Sequence, residues 1–232
     1  MDILYTALWE AAKGTQNFLS LIYPPPELPD LPLLPLNPPF CFCCSRPFPQ
    51  GLAHCRYCNQ CMAYPRSFLF ARSGYVFCGL VREVIHWVKY NQKYHLMPFL
   101  EEWLEKGYRK YLGGWNCQGV VPVPLHPRKF RQRGFNLAEE LALWLCRRQN
   151  LPYFPALERI KPTQQQAALA FPERTANVRG AFRLKRGFDL KDKNLLIIDD
   201  VMTTTATAQA CAEILKDRGG AKKVAVLTIA RS

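Results

Sequence analysis

A strand–loop–helix–strand pattern near the C-terminus is the feature that most constrains the fold. Residues 194–198 form an apolar run that suits a buried strand, and residues 204–218 have helical character. Gly219 and Gly220 end that helix, and a second apolar run follows at 224–229. Two apolar strands joined by a helix usually pair in parallel, because the connection must cross one face of the sheet. The pattern therefore predicts an α/β fold.

The rest of the chain continues this alternation of strands and helices. Residues 119–124 read as a buried strand that ends in a proline turn. Apolar residues at helical spacing predict helices over 80–89, 98–111 and 137–148, the last capped by Asn136. We therefore expect a parallel sheet covered by helices on both faces.

The N-terminal part of the chain differs in composition. Residues 2–23 have the apolar spacing of an amphipathic helix, prolines recur from 24 to 39, and cysteines are concentrated between 41 and 61. We expect a helix and proline-rich linker over 1–40, a cysteine module over 41–66 and the α/β domain over 67–232.

Charge and cysteine content narrow the class of protein. The chain has 232 residues, 31 of them basic and 18 acidic, and its net charge of +13 favours polyanionic partners such as nucleic acid or nucleotide phosphates. The sequence has neither a recognisable secretory signal nor an apolar run long enough to span a membrane. We expect a cytoplasmic protein, in which ten cysteines serve as thiols or metal ligands.

Two acids and a run of threonines follow the 194–198 strand. Asp199 and Asp200 stand at its carboxyl end, where open α/β sheets bind ligands, and carboxylates can accept hydrogen bonds from a ribose diol. Backbone N–H groups at the start of the next helix favour a phosphate. The predicted phosphate site consists of Thr203, Thr204, Thr205, Ala206 and Thr207.

A second basic segment follows the 119–124 strand. Four cations fall within six positions: Arg128, Lys129, Arg131 and Arg133. Such a loop can neutralise a pyrophosphate or a nucleic-acid backbone, although a solvated basic loop is the simpler interpretation.

These segments carry a family resemblance. IIDDVMTTTATA (197–208) resembles the phosphoribosyl pyrophosphate signature of type I phosphoribosyltransferases, and PVPLHPRKFRQRGFN (122–136) is similar to a motif of ComF/GntX-type competence proteins. The resemblance implies a type I phosphoribosyltransferase fold preceded by a zinc module. It also implies a link to DNA uptake in natural transformation. One departure is Thr205, which stands where that signature usually has glycine.

The resemblance also implies roles for the residues that match it. Asp199 and Asp200 would hold the ribose hydroxyls, and 203–207 would hold the 5′-phosphate. Mg²⁺ would bridge the pyrophosphate. In an active enzyme, Arg128, Arg131 and Arg133 would stabilise the departing pyrophosphate.

The cysteine segment predicts a metal site. Cys41 and Cys44 form one C-x-x-C pair and Cys58 and Cys61 another, which fits a tetrahedral Zn²⁺ held by four thiolates. Cys55 with Cys58 is an alternative second pair, and His54 is an alternative ligand.

Three functions are compatible with these features. The first is binding of phosphoribosyl pyrophosphate, or of a related phosphorylated ribose, in a DNA-uptake protein that also contacts single-stranded DNA. The second is phosphoribosyl transfer to a nucleobase or amine. The third is an adaptor whose proline-rich segment docks a helicase of the DNA-import machinery.

Overall fold

A computed structural model describes residues 28–49, 56–161 and 180–232 of the chain. Several predictions fall outside these residues and stay predictions. They are the helix at 2–23, the first part of the proline-rich linker, and the alternative metal ligands His54 and Cys55.

The described residues form a parallel sheet and a small antiparallel ribbon. In chain order the strands are β1 (Phe70–Val76), β2 (Gly119–Pro122), β3 (Leu157–Arg159), β4 (Phe182–Leu184), β5 (Asn194–Met202) and β6 (Lys223–Arg231). The four-stranded sheet has the order β1–β6–β5–β2, with every neighbouring pair parallel. Strands β3 and β4 pair antiparallel beside it.

Helices cover both faces of this sheet. The α-helices of the described residues are α1 (Asn59–Ala63), α2 (Gly79–Tyr90), α3 (Met97–Leu112), α4 (Pro127–Arg133), α5 (Leu137–Gln149) and α6 (Ala206–Asp217). Helices α2, α3 and α5 pack on one face, where Leu196 and Ile198 of β5 are buried. Helix α6 packs on the other face, against Leu195 and Ile197. Alternate residues of β5 therefore enter opposite cores, and the prediction of a parallel sheet flanked by helices is confirmed.

Strand β5 is longer than the apolar run that predicted it. It continues to Met202, so Asp199 and Asp200 belong to the strand rather than to the loop after it. Asp199 is opposite Thr228 of β6 in the register, and Asp200 is the next residue of the strand. Pairing with β6 alone extends the strand beyond Ile198, where the pairing with β2 ends and the side chains become polar.

Strand β1 has no counterpart among the strands predicted from sequence. Its buried positions are Ala71, Ser73 and Tyr75, and two of them are small, so the alternation is weak as a pattern of hydrophobicity. Ser73 is buried because its hydroxyl lies 2.6 Å from the hydroxyl of Thr228 on β6. A satisfied polar pair thus replaces an apolar contact in the sheet.

The basic segment after β2 is a helix and not the loop expected from its sequence. His126 caps α4, because its Nδ1 accepts a hydrogen bond from the backbone N–H of Arg128 at 3.2 Å. Gly134 ends the helix in the left-handed conformation, with φ of 85°. The predicted cap of α5 is wrong in detail: the Asn136 side chain donates to the Val123 carbonyl at 3.0 Å instead of capping.

The cysteine segment packs directly against the edge of the sheet. The backbone N–H of Ala71 donates to the Cys43 carbonyl at 2.7 Å, and the Ser45 hydroxyl donates to the Ala71 carbonyl at 2.8 Å. Arg72 adds a hydrogen bond of 2.7 Å to the Phe42 carbonyl. These contacts join the segment to β1, while the boundaries of 1–40, 41–66 and 67–232 stay predictions.

Candidate functional site

The candidate site lies at the carboxyl edge of the parallel sheet, where β5 ends. A cleft opens there between Asp199 and the start of α6. Its lining includes Asp199, Thr203, Thr204, Thr207 and Thr228. The structure thus brings one of the two acids and three of the threonines named from the sequence into a single concave surface.

Asp200 is engaged by a residue that sequence reasoning did not assign to the site. The ammonium group of Lys89, near the end of α2, forms an ion pair with a carboxylate oxygen of Asp200. The two side chains are only 15% and 12% exposed, so the pair is largely shielded from solvent. Breaking such a pair leaves one poorly solvated charge behind, which makes the contact sensitive to either partner.

Asp199 has an unusual protonation equilibrium. Burial raises the pKa of its carboxyl well above the usual range, and the neighbouring charge of Asp200 raises it further. Lys89 opposes this rise in pKa. Asp199 therefore keeps its proton at pH values at which an ordinary aspartic acid is ionised, and it can donate as well as accept a hydrogen bond.

Several cationic side chains interact with this acid pair or with one another. Burial lowers the pKa of the half-buried Lys129, and the charges of Arg159, Arg133 and Lys89 lower it further. Burial also lowers the pKa of Arg159, while the charge of Asp199 opposes that effect. The four groups come from α2, α4 and β3, and the charge of Lys129 interacts with those of the other three. Two of the four also interact with the acids: Lys89 pairs with Asp200, and the charge of Arg159 interacts with that of Asp199. We call Lys89, Lys129, Arg133 and Arg159 the cation cluster.

The basic residues of α4 lie in two different environments. Lys129 and Arg133, four positions apart, lie on one face and are half-buried, whereas Arg128 and Arg131 are exposed. The guanidinium of Arg133 lies 5.1 Å from the ring centre of Tyr90 on α2, which ties the inner face of α4 to that helix. The outer arginines stay available to a partner in solvent.

The threonine segment, residues 203–207, adopts a backbone conformation that does not require glycine. Thr205 precedes α6 with φ of −79°, which is an ordinary value for a β-branched residue. Thr204 and Thr205 are buried, and the Thr204 hydroxyl accepts a hydrogen bond from the Ala206 N–H at 3.4 Å. The exchange of glycine for Thr205 is therefore compatible with the geometry of the loop.

The cysteine cluster has the dimensions of a metal site. The sulfur atoms of Cys41, Cys44, Cys58 and Cys61 all lie within 4.8 Å of one another. The Cys44 and Cys58 sulfurs are 3.7 Å apart, close to the edge of about 3.8 Å that a tetrahedron with Zn–S bonds of about 2.3 Å requires. Three of the four residues are buried, and the cluster could hold a metal ion such as zinc.

Sequence reasoning missed three members of the cation cluster as site residues. Lys89 occupies one polar position of an amphipathic helix, and Arg159 lies outside the acidic and basic motifs that predicted the site. Lys129 lay inside the basic run but was not separated from its neighbours. The run of cations after β2 is the sequence signal for Lys129, and it does not say which of those cations turn inward.

Comparison with known proteins finds relatives that cover most of the chain. It is 27% identical over 183 residues to the DNA utilization protein YhgH of Escherichia coli, covering 75% of this chain and 78% of that protein. It is 28% identical over 201 residues to competence protein ComFC of Bacillus subtilis, covering 83% and 78%. Competence protein F of Haemophilus influenzae is 29% identical over 119 residues, about half of each chain, 50% and 51%.

Two further comparisons complete this picture. No family model matches the chain. A purine phosphoribosyltransferase from Pyrococcus horikoshii is structurally similar with a TM-score of 0.38 and 13% identity, covering 57% of this chain and 82% of that one. Within the residues that the structure describes, no helix is both long enough and apolar enough to cross a bilayer. Together with the four-cysteine cluster, the competence-protein relatives confirm the resemblance to ComF-type proteins.

Proposed function

We propose that this ComF-type protein binds phosphoribosyl pyrophosphate, or a related phosphorylated ribose, at the carboxyl edge of its sheet. The observation that carries the proposal is the arrangement around Asp199 and Asp200. A threonine-lined cleft lies beside Asp199, and two members of the cation cluster, Lys89 and Arg159, interact with the acid pair. A phosphorylated ribose that also carries a pyrophosphate matches this arrangement. Its diol suits the acids, its 5′-phosphate suits the small polar groups, and its pyrophosphate suits the cations.

Each part of the site would meet one part of the ligand. Asp199 and Asp200 would hydrogen-bond the ribose hydroxyls, and residues 203–207 would hold the 5′-phosphate at the start of α6. The cation cluster would neutralise the pyrophosphate, with Arg128 and Arg131 reaching it from the exposed side of α4. Mg²⁺ suits phosphate and carboxylate oxygens, and it would supply further charge neutralisation there.

Phosphoribosyl transfer to a nucleobase or amine is a second candidate for the same site. The raised pKa of Asp199 favours it, since a general base works best when its pKa is near the operating pH. His126 is a weaker candidate for a base, because its ring nitrogen caps α4. We therefore place ligand binding first and turnover second.

The role in the cell is proposed from the relatives. Proteins named for competence and for DNA utilization match this chain, which supports a part in DNA uptake during natural transformation. A net charge of +13 and the exposed Arg128 and Arg131 support contact with single-stranded DNA. A helicase of the import machinery is a further candidate partner, and zinc would complete the four-cysteine cluster.

Calorimetric titration with phosphoribosyl pyrophosphate and Mg²⁺ tests the binding proposal. We expect binding to the wild type and a loss of about tenfold or more for Asp200→Asn, which removes a charged acceptor. Asp189→Asn is the matched control, since Asp189 is an exposed acid paired with Lys193. Absence of heat with the wild-type protein would overturn the proposal.

Turnover and DNA binding need separate measurements. Release of pyrophosphate in the presence of a nucleobase or amine would establish transfer, and its absence with a bound ligand would leave binding alone. Fluorescence anisotropy with labelled single strands should show an affinity that falls as salt rises. An affinity independent of salt would contradict a phosphate-backbone contact.

A further inference from the structure

We propose that Arg231 couples the cysteine cluster to the threonine segment, so that metal binding at one site positions the phosphate-binding backbone at the other. Arg231 ends β6, and it would act through these two elements rather than by touching a ligand. The proposal rests on the proposed function only for its effect on ligand affinity; the coupling itself is a property of the fold.

The side chain of Arg231 bridges three parts of the molecule. Its Nε donates to the carbonyl of Cys44 at 3.3 Å. Its Nη1 donates to the carbonyls of Met202 at 2.7 Å and Thr203 at 2.6 Å, and also to the carbonyl of Ser232. One guanidinium therefore connects a residue of the cysteine cluster to the last residue of β5 and to the first residue of the threonine segment.

Because Arg231 is buried, its charge needs compensation from the groups around it. Arg231 is only 2% exposed. Arginine is rarely buried to this extent unless its charged group has partners. The acceptors on Cys44, Met202 and Thr203 are neutral peptide carbonyl groups, which satisfy N–H donors but do not neutralise the charge. Four thiolates around a divalent ion carry a net negative charge, so a filled cluster beside Arg231 would offset it.

The position of Arg231 explains why the threonine segment would respond. Arg231 pairs with Met202 across β5 and with Val76 across β1, so it occupies the centre of the sheet edge. The Thr203 carbonyl that it holds belongs to the first residue after β5. Backbone N–H groups must lie within about half an ångström of their productive positions to hold a ligand well, and an anchor at this point sets that placement.

A wild-type experiment tests the coupling without any ligand. Zinc is removed from the full chain with a chelator, and amide hydrogen exchange is followed in 202–207. We expect exchange there to become at least about fivefold faster after zinc removal, the lower end of typical coupling between sites. Exchange in α3, which lies on the far side of the sheet from α6, reports the overall loss of stability on zinc removal, and the acceleration in 202–207 is measured relative to it. Unchanged exchange in 202–207 would overturn the proposal.

Variants separate coupling from general loss of structure. In Arg231→Gln the 202–207 segment should exchange rapidly even with zinc bound, and chelation should add little. Arg231→Lys keeps the charge and some donors, so it should restore part of the protection. Arg72→Gln is the matched control, because Arg72 also donates to a carbonyl of the cysteine segment but to none of the threonine segment. Equal behaviour of the Arg72 and Arg231 variants would contradict the proposal.

Linkage with the ligand provides an independent test in the wild type. If both proposals hold, saturating phosphoribosyl pyrophosphate with Mg²⁺ should raise the equilibrium affinity for zinc by about fivefold, because coupling between the affinities of two sites is reciprocal. A protein that shows the exchange response but no heat with phosphoribosyl pyrophosphate refutes the proposed function and leaves the coupling intact. A protein that binds the ligand equally well with and without zinc refutes the coupling alone.

Discussion

At the scale of single residues, Asp199 gives the site a pH dependence. Its folded-state pKa is raised by burial and by Asp200, above the value near 4 of an unfolded chain. The protonated carboxyl therefore favours the folded state, and this contribution is lost as pH rises through the folded-state pKa. Asp199→Asn mimics the protonated form.

We expect the Asn variant to match the wild type in Tm near pH 4 and to exceed it by a few degrees at about pH 9. Thermal denaturation across this pH range measures the difference. Asp189→Asn should show no gain at high pH, because its ion pair with Lys193 lowers the pKa of Asp189. A constant difference between the Asp199 variant and wild type at all pH values would contradict the assignment.

The ion pair between Lys89 and Asp200 is a second prediction at this scale. Lys89→Met should destabilise the protein by about 3 kcal/mol, because it leaves the Asp200 carboxylate shielded and unpaired. In the double variant with Asp200→Asn the two losses should not add, with an interaction energy of about 1–3 kcal/mol. Urea denaturation of the four proteins gives this energy, and strict additivity would show that the pair contributes nothing.

At the scale of elements, α4 is a helix with an inner and an outer basic face. Lys129 and Arg133 are half-buried in the cation cluster, and Arg128 and Arg131 are exposed. Helical spacing, rather than the composition of the segment, decides this division. A loop of the same sequence would not sort its charges in this way.

The two faces of α4 should therefore differ in function. We expect Lys129→Gln and Arg133→Gln each to weaken binding of phosphoribosyl pyrophosphate about tenfold or more. Arg128→Gln and Arg131→Gln should weaken it less, and they should lower the salt dependence of binding to single-stranded DNA by about one unit of slope. Calorimetry and anisotropy on the same four variants test this. Equal losses from both faces would contradict the division.

At the scale of the whole molecule, the cysteine cluster and the sheet form one unit. Backbone contacts join the cluster to β1, and Arg231 joins it to the end of β5. Zinc should therefore stabilise the whole chain and not only its own segment. The same contacts explain how a short segment with few apolar residues keeps four sulfur atoms together.

Metal analysis and thermal denaturation test whether zinc stabilises the whole chain. Elemental analysis should give about one zinc per chain in the wild type, none in Cys44→Ser, and an unchanged content in Cys43→Ser. Removal of zinc should lower the Tm of the main cooperative transition by several degrees. A separate low-temperature transition, with the main one unchanged, would show that the segment is energetically independent.

Local patterns in the sequence predicted much of the architecture. Apolar runs located β2, β5 and β6, and helical spacing located α2, α3, α5 and α6 to within a few residues. Strand β1 was not predicted, because its buried positions include small residues and a serine whose hydroxyl is satisfied by Thr228. The helical state of α4 was also missed, since its basic residues show no apolar stripe.

The sequence by itself determined the class of fold, the acid pair at the end of β5, the threonine segment and the four cysteines of the cluster, because each depends on short-range order and side-chain chemistry. Only the tertiary structure decided which cations face the acids. Lys89 and Arg159 face the acids although they come from elements far apart in the chain, and Arg231 instead joins the end of β5 to the cysteine segment. Strand order and helix packing set these partners. A buried charge needs a partner in space, and sequence separation does not limit where that partner lies.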